Sequence, residues 1–298
     1  MKQVRKKQHM NNAEVTVVDD EFINETEPDV NNWTPWNKWF WGGLAVILIA
    51  VAVGYCSPKA SAADLAELPK MNEQMFVPSV QLGNSSTDGF CSGTLISSER
   101  DQVSGDVETF ILTAKHCVTD HKDGGDISVI IHNYNTENRE INAVDHKAIV
   151  YGKSYKSDLA LLKLKDKDTF FKTTAKIAPK DTKLVFGQDV WVVGYPLGLS
   201  QTLTSGVLGR VETVEPFSTY SQSRQFYRST PDIAPGNSGG AMFQKNAKGD
   251  YEIIGVATGT IRGFTYINFY SPIEEINEYL SVALQKKSLA GPPASTLK

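Results

Sequence analysis

Cysteine is nearly absent from this 298-residue chain: there are three, and no two form a C-x-x-C pair. That excludes a disulfide-dense scaffold and a thiolate zinc knuckle. Histidine is scarce as well, with five residues. His9, His121, His132 and His146 show no i,i+4 pairing, so no metal site is expected and these four read as surface residues. Charge of one sign is also missing. The 30 Lys+Arg and 34 Asp+Glu leave a net charge of −4, with no basic cluster beyond residues 2–7, so a nucleic-acid partner is excluded. No fixed-period repeat is visible. At 41% hydrophobic and 21% charged, the composition is globular, which excludes collagen, coiled coil and wholesale disorder. Long apolar runs are absent too, except for one.

Residues 39–58 carry no charge, and 39–55 read WFWGGLAVILIAVAVGY. As a helix, that stretch covers roughly 25 Å of a hydrocarbon slab about 30 Å thick. Trp33, Trp36, Trp39 and Trp41 crowd one end, as in an aromatic belt at the membrane boundary. A buried core helix would carry a polar stripe, and this run has none. The segment 39–56 is therefore read as a single-pass signal-anchor. The competing reading is a signal peptide cleaved after Ala60-Ser61-Ala62. Against cleavage, 38 residues precede the run. This leader, 1–38, holds five basic and seven acidic residues and is expected to be a disordered acidic cytoplasmic tail. Cys56 is preceded by Tyr55, unlike a lipidated cysteine, and reads as inert. Residues 57–72 look like a spacer with one helical turn before Pro69. On either reading the rest is translocated, which places the chain at the cell membrane, or secreted, with its main domain periplasmic or extracellular.

From about residue 73 the texture changes to short β-rich runs, among them CSGTLIS, ETFILTA, LALLKL, DVWVVGY and YEIIGVATG. Turn signals such as Asp88-Gly89 and Lys248-Gly249-Asp250 separate them. Only one convincing helix follows, from Ser271-Pro272 through IEEINEYLSVAL. This pattern predicts an all-β domain of barrels or a sandwich over 73–288 with a terminal helix over 273–284, and a frayed tail at 289–298. The loop 120–126 (DHKDGGD) offers three carboxylates but no distal Glu, and reads as a solvated turn rather than a calcium site.

Three segments carry chemistry. ILTAKHC sets His116 at a strand end, SDLALLKL sets Asp158 at the mouth of another strand, and PGNSGGAMF sets Ser238 in a Gly-flanked turn. A serine hydroxyl is a poor nucleophile until a neutral imidazole takes its proton and a carboxylate orients that imidazole. The glycines let the turn aim the amides of Gly236 and Ser238 at one point, as an oxyanion hole requires. Each piece alone is weak. Together, in the order His, Asp, Ser, they read as a triad.

On these motifs the chain resembles the trypsin/chymotrypsin-fold serine proteases across residues 73–285. The resemblance implies His116 as general base, Asp158 as its orienting acid, Ser238 as nucleophile and the Gly236 and Ser238 amides as the oxyanion hole. It implies two perpendicular six-stranded antiparallel barrels, here at about 73–176 and 183–272, joined around KIAPKDTK, and no cofactor. It also implies that Cys91 and Cys117 pair beside the histidine, which needs an oxidising compartment. VVGYPLGLSQTLTSGVLGRV and PGNSGG are further similar to the HtrA (high-temperature-requirement) branch. Members of that branch carry PDZ domains after the protease, whereas about 14 residues follow the helix here, so a PDZ domain is not expected. Asn237 stands where digestive members keep an activating aspartate, and their activation site is absent, so no zymogen cleavage is expected.

Specificity is the least determined feature. Asp232, six before Ser238, matches the pocket aspartate of trypsin-like members, which would favour Arg or Lys substrates. HtrA-type loops place theirs two residues earlier, at Thr230 here. Thr258, Gly259 and Thr260 would form the other pocket wall and pair with extended substrate. The expected activity is a membrane-anchored serine endopeptidase acting on proteins or peptides. The competing functions are a silent protease-fold scaffold at the cell surface and an esterase with the same triad. Natural substrate and oligomeric state stay open.

Overall fold

The computed structural model describes residues 62–84, 89–121, 125–135, 139–214, 224–261 and 266–289. The leader 1–38, the apolar run 39–56 and the tail 290–298 lie outside these residues. Among the described residues no helix is long and apolar enough to cross a membrane.

Among the described residues, the β-rich reading from residue 73 onward meets fourteen strands. The first six, β1 (Ser79–Asn84), β2 (Gly89–Arg100), β3 (Val107–Ala114), β4 (Asp126–Tyr134), β5 (Glu140–Lys153) and β6 (Leu159–Leu164), close into an antiparallel barrel in the order β1-β2-β3-β6-β5-β4. Its interior is filled by Val80, Leu82, Leu95, Ile111, Val129, Val150 and Leu162. Strand β6 shows why its sequence, LALLKL, is apolar except for Lys163. Leu162 and Ala160 point into the barrel, while Leu159 and Leu161 join a second core together with Phe110, Phe243 and Ile253. A strand buried on both faces has no polar alternation to show.

The second sheet contains β7 (Lys176–Ile177), β8 (Asp189–Gly194), β9 (Thr202–Val207), β10 (Val211–Val214), β11 (Arg224–Ser229), β12 (Ala241–Lys245), β13 (Tyr251–Thr260) and β14 (Asn268–Pro272). Its order is β10-β11-β14-β13-β12-β8-β9, with β7 added parallel to β13. Among the described residues no regular ladder joins the two ends of this sheet. Those ends, β9 and β10, are consecutive in the chain, and the kink between them stays bonded to the end of β11: Thr230 N donates to Val207 O (3.2 Å), Val207 N to Thr230 Oγ1 (2.8 Å) and Arg228 N to Arg210 O (3.0 Å). The Leu208 amide turns to Gln188 O (2.8 Å), and the Gly209 amide bonds the side chain of Ser229 (2.9 Å) instead of a strand partner. Only glycine fits there, since a Cβ on Gly209 would collide with the Arg228 carbonyl. The joining segment KIAPKDTK also begins inside the sheet, as β7, rather than as a free linker.

The spacer reading of 57–72 is likewise corrected over its second half. Ala62–Met71 form a helix, α1, that runs through Pro69 into a wide π turn at Asn72–Phe76. Proline removes one backbone donor at the helix end, where a loosened turn accommodates the loss. The helix is docked. Glu67 accepts from the Tyr251 hydroxyl (2.9 Å) and pairs with Lys245, Lys70 pairs with Asp250 at 2.8 Å, and Met75 is fully buried. The closing helix, α2 (Ile273–Leu289), is longer than the expected 273–284 and sends Ile276, Leu280 and Ala283 into the core shared by both sheets.

Candidate active site

Antiparallel pairing brings the first two chemical groups together. Ala114, the last residue of β3, faces Leu159, the first of β6. The residues just beyond these ends are therefore neighbours, and Lys115 N donates to Asp158 O at 3.1 Å. A single 3₁₀ turn, Lys115–Val118, then carries His116 back over Asp158. The Asp158 side chain is 2% exposed. Its Oδ1 accepts from the His116 amide at 3.0 Å, and its Oδ2 lies 2.7 Å from the imidazole Nδ1. Both carboxylate oxygens are thus engaged by one residue, which fixes the ring and leaves Nε2 as its outward nitrogen.

Several groups surround this pair from behind. Lys115 Nζ donates to Ser154 O at 2.9 Å, and Ser157 closes a turn onto the Ser154 hydroxyl at 2.8 Å. Burial, reinforced by repulsion from Arg224, lowers the Lys115 pKa. On α2, burial pushes the Glu275 carboxyl up to about 7. Arg224 opposes that rise, while Glu278, Asp158 and Glu274 add to it.

Ser238 lies in the loop between β11 and β12. Gly236 (φ 99°) and Gly239 (φ 85°) adopt left-handed backbone there, and a Cβ on Gly239 would come within 2.2 Å of Ser92 O. The amides alternate in use. Asn237 N donates to Ala234 O, Gly239 N to Ala257 O and Gly240 N to Asn237 O. Those of Gly236 and Ser238 donate to no other described residue. Among the described residues no hydrogen bond joins His116 to the Ser238 hydroxyl; the loop meets the histidine corner where Cys117 Sγ lies 3.6 Å from Ser238 O. Catalytic hydrogen bonds of unliganded sites are often looser than in the reacting complex. The Cys91–Cys117 disulfide is present, directly beside His116.

One residue that sequence reasoning passed over holds this loop. Ser92 of β2 is fully buried. Its amide donates to Ser238 O (2.7 Å), its hydroxyl donates to Gly236 O (2.8 Å), and the same hydroxyl accepts from Tyr195 N (2.9 Å). The only signal was its place after Cys91 in CSGT.

The specificity reading fares differently. Asp232 is exposed rather than buried at a pocket base, and its Oδ1 accepts from Tyr266 N (3.0 Å) and more distantly from Asn268 Nδ2 (3.4 Å). Loop hydrogen bonds at the surface hold this carboxylate. Thr258 is buried at a bulge of β13, its hydroxyl 3.2 Å from Ser271 Oγ. Gly259 is half-buried with open space around its Cα, and Thr260 is exposed. Asn237 is buried, and its Oδ1 has no hydrogen-bond partner.

Known proteins resemble this chain in sequence and fold. The trypsin family model matches residues 69–281. The chain is 31% identical over 151 residues to a probable periplasmic serine endoprotease, DegP-like, of Buchnera aphidicola, covering 48% of this chain and 30% of that one. It is 29% identical over 175 residues to an HtrA-like serine protease of Staphylococcus aureus, covering 53% and 22% respectively. The chain thus spans less than a third of the length of either relative. Among solved structures, Deg5 superposes with a TM-score of 0.54 at 21% identity, over 74% of this chain and 97% of that one. The serine endoprotease of Yersinia pestis gives 0.50 at 21% identity, over 74% and 67%. The all-β fold with its closed six-stranded barrel and terminal helix is chymotrypsin-like, and the chain belongs to the trypsin family of serine proteases.

Proposed function

We propose that the chain is a serine endopeptidase that cleaves proteins or peptides through an acyl-enzyme on Ser238. In this reading His116 removes the hydroxyl proton, Asp158 holds the imidazole and stabilises its protonated form, and the Gly236 and Ser238 amides receive the oxyanion. The observation that carries it is the double engagement of His116 by the buried Asp158 carboxylate. An ordinary surface histidine has no need of a buried acid gripping both its ring and its backbone. The two unengaged loop amides supply the matching electrophilic half.

The same proposal places the enzyme outside the cytoplasm, held by residues 39–56. The Cys91–Cys117 disulfide supports an oxidising compartment. The word periplasmic in the name of the Buchnera relative points the same way. The bonds from Thr230 and Arg228 to Val207 and Arg210 support the closed second barrel that the resemblance implies, with β9 and β10 as one kinked strand beside β11.

Intact-mass measurement after fluorophosphonate treatment tests the chemistry. One adduct on the wild type and none on Ser238→Ala is the expected result. No adduct on folded, oxidised protein would leave a peptide-binding scaffold as the reading. Cleavage of a simple alkyl ester with no cleavage of any peptide would instead make it an esterase.

A further inference from the structure

Among the described residues one trio of metal-competent side chains stands together. The sulfurs of Cys91 and Cys117 and one imidazole nitrogen of His116 all lie within 4.8 Å of one another. While the sulfurs are bonded to each other, neither is a thiolate and no metal is held. We propose that reduction of this bridge turns the histidine corner into a site for a zinc-class divalent cation, with Cys91 Sγ, Cys117 Sγ and His116 Nε2 as ligands. The bound ion occupies the nitrogen that would serve as general base, so the protease is silenced. Metal binding stands on the geometry alone, whereas the loss of activity rests on the role proposed above for His116.

Four observations support the site. First, tetrahedral zinc with Zn–S near 2.3 Å and Zn–N near 2.0–2.1 Å sets its ligand atoms roughly 3.5–4 Å apart, within the span of the trio. The Cα atoms, 6.1 Å apart, already suit two side chains converging on one ion. Second, Asp158 holds Nδ1 at 2.7 Å. A carboxylate on one ring nitrogen orients the other and raises its basicity towards a metal. Third, a cavity of about 140 Å³ beside the trio, lined by Phe90, Asp120 and His121 as well, gives access and room for water at a fourth position. Fourth, two thiolates balance the charge of a divalent ion, so the buried Cys117 is not left as an uncompensated anion. Two soft sulfurs and an imidazole select zinc-class ions over magnesium or calcium.

The chemistry balances with a dithiol reductant. Its two thiols pass two electrons and two protons to the disulfide, giving Cys91–SH and Cys117–SH and a cyclic disulfide on the reductant. The cation then displaces both thiol protons into water, and neutral His116 contributes a lone pair.

The test titrates the full chain with Co²⁺ alone as a spectroscopic probe, oxidised or after phosphine reduction, with fluorophosphonate labelling followed in parallel with Zn²⁺. The expected result is one Co²⁺ per reduced chain, with thiolate-to-cobalt charge-transfer absorption and tetrahedral d–d bands, and none on the oxidised chain. Asp158→Asn should weaken affinity roughly 10- to 100-fold. A Cys91→Ser/Cys117→Ser variant should show no charge-transfer band, and adding Zn²⁺ should leave its labelling at the level that variant has without metal. The proposal is overturned by equal binding to the oxidised chain, by a reduced chain without charge-transfer absorption, or by reduction that abolishes the near-ultraviolet circular dichroism of the fold. If cobalt binds as expected but metal-free protein is never labelled, the metal site stands and the protease reading falls.

Discussion

Asp158 meets His116 twice, through the imidazole Nδ1 at 2.7 Å and through the backbone amide at 3.0 Å. The second bond ties the acid to the main chain of the base. Removing the negative charge should therefore spoil the tautomer without displacing the loop.

Asp158→Asn is expected to lower kcat by roughly 10⁴-fold while leaving KM within a few-fold. Steady-state kinetics on a peptide substrate measure both. A kcat within tenfold of wild type would remove Asp158 from the proposed triad.

Ser92→Ala removes a buried hydroxyl that both receives the Tyr195 amide and supports the Gly236 carbonyl. Two groups lose a partner at once, and the expected destabilisation is about 1–3 kcal/mol. Because the loop that slackens carries Ser238, kcat should fall by at least roughly tenfold, with KM less affected. Denaturant unfolding and kinetics on the same preparation check the pair of effects.

Burial holds the Glu275 carboxyl up at about 7, against an ordinary value of 4.5. A raised acid is neutral in both folded and unfolded chains at low pH, where its contribution is fully present. As pH climbs from about 4.5 to 7 the unfolded chain ionises it first, so stability falls through that window and levels off above it. Glu275→Gln should flatten the fall and gain on the order of 1–2 kcal/mol at pH 8, after allowance for solvent screening. Unfolding free energies of both proteins at pH 5 and pH 8 give the difference, and parallel curves would count against the assignment.

The Cys91–Cys117 bridge closes a loop over a sequence separation of 26. Chain-entropy arithmetic puts its contribution at about 3–4 kcal/mol. Urea denaturation of wild type and the Cys91→Ser/Cys117→Ser variant, both free of metal, should show that gap, and identical midpoints would refute it.

The residues that read clearly from sequence were those whose role is local. LALLKL announced a strand, and the glycines of PGNSGG announced a turn. The end-to-end pairing of β3 and β6 then made neighbours of the histidine and the aspartate. What sequence hid depended on distant partners. The kink between β9 and β10 depends on a side chain, Ser229, taking the Gly209 amide. Asp232 was located by counting, but counting cannot show that the loop turns its carboxylate outward to Tyr266. The helix before residue 72 forms because Glu67 and Lys70 find partners on β12, β13 and the loop between them, nearly two hundred residues away.

Ser92 belongs to the first barrel, and the loop it grips belongs to the second sheet. The nucleophile turn therefore keeps part of its shape through its own bonds, Asn237 N to Ala234 O and Gly240 N to Asn237 O, and takes the rest from the barrel beside it. Ser92 holds that remainder from the first barrel, so any force, solvent or partner that prises the two halves apart loosens the reactive centre in the same motion. Inactivation should then precede global unfolding and be reversed simply by letting the halves close.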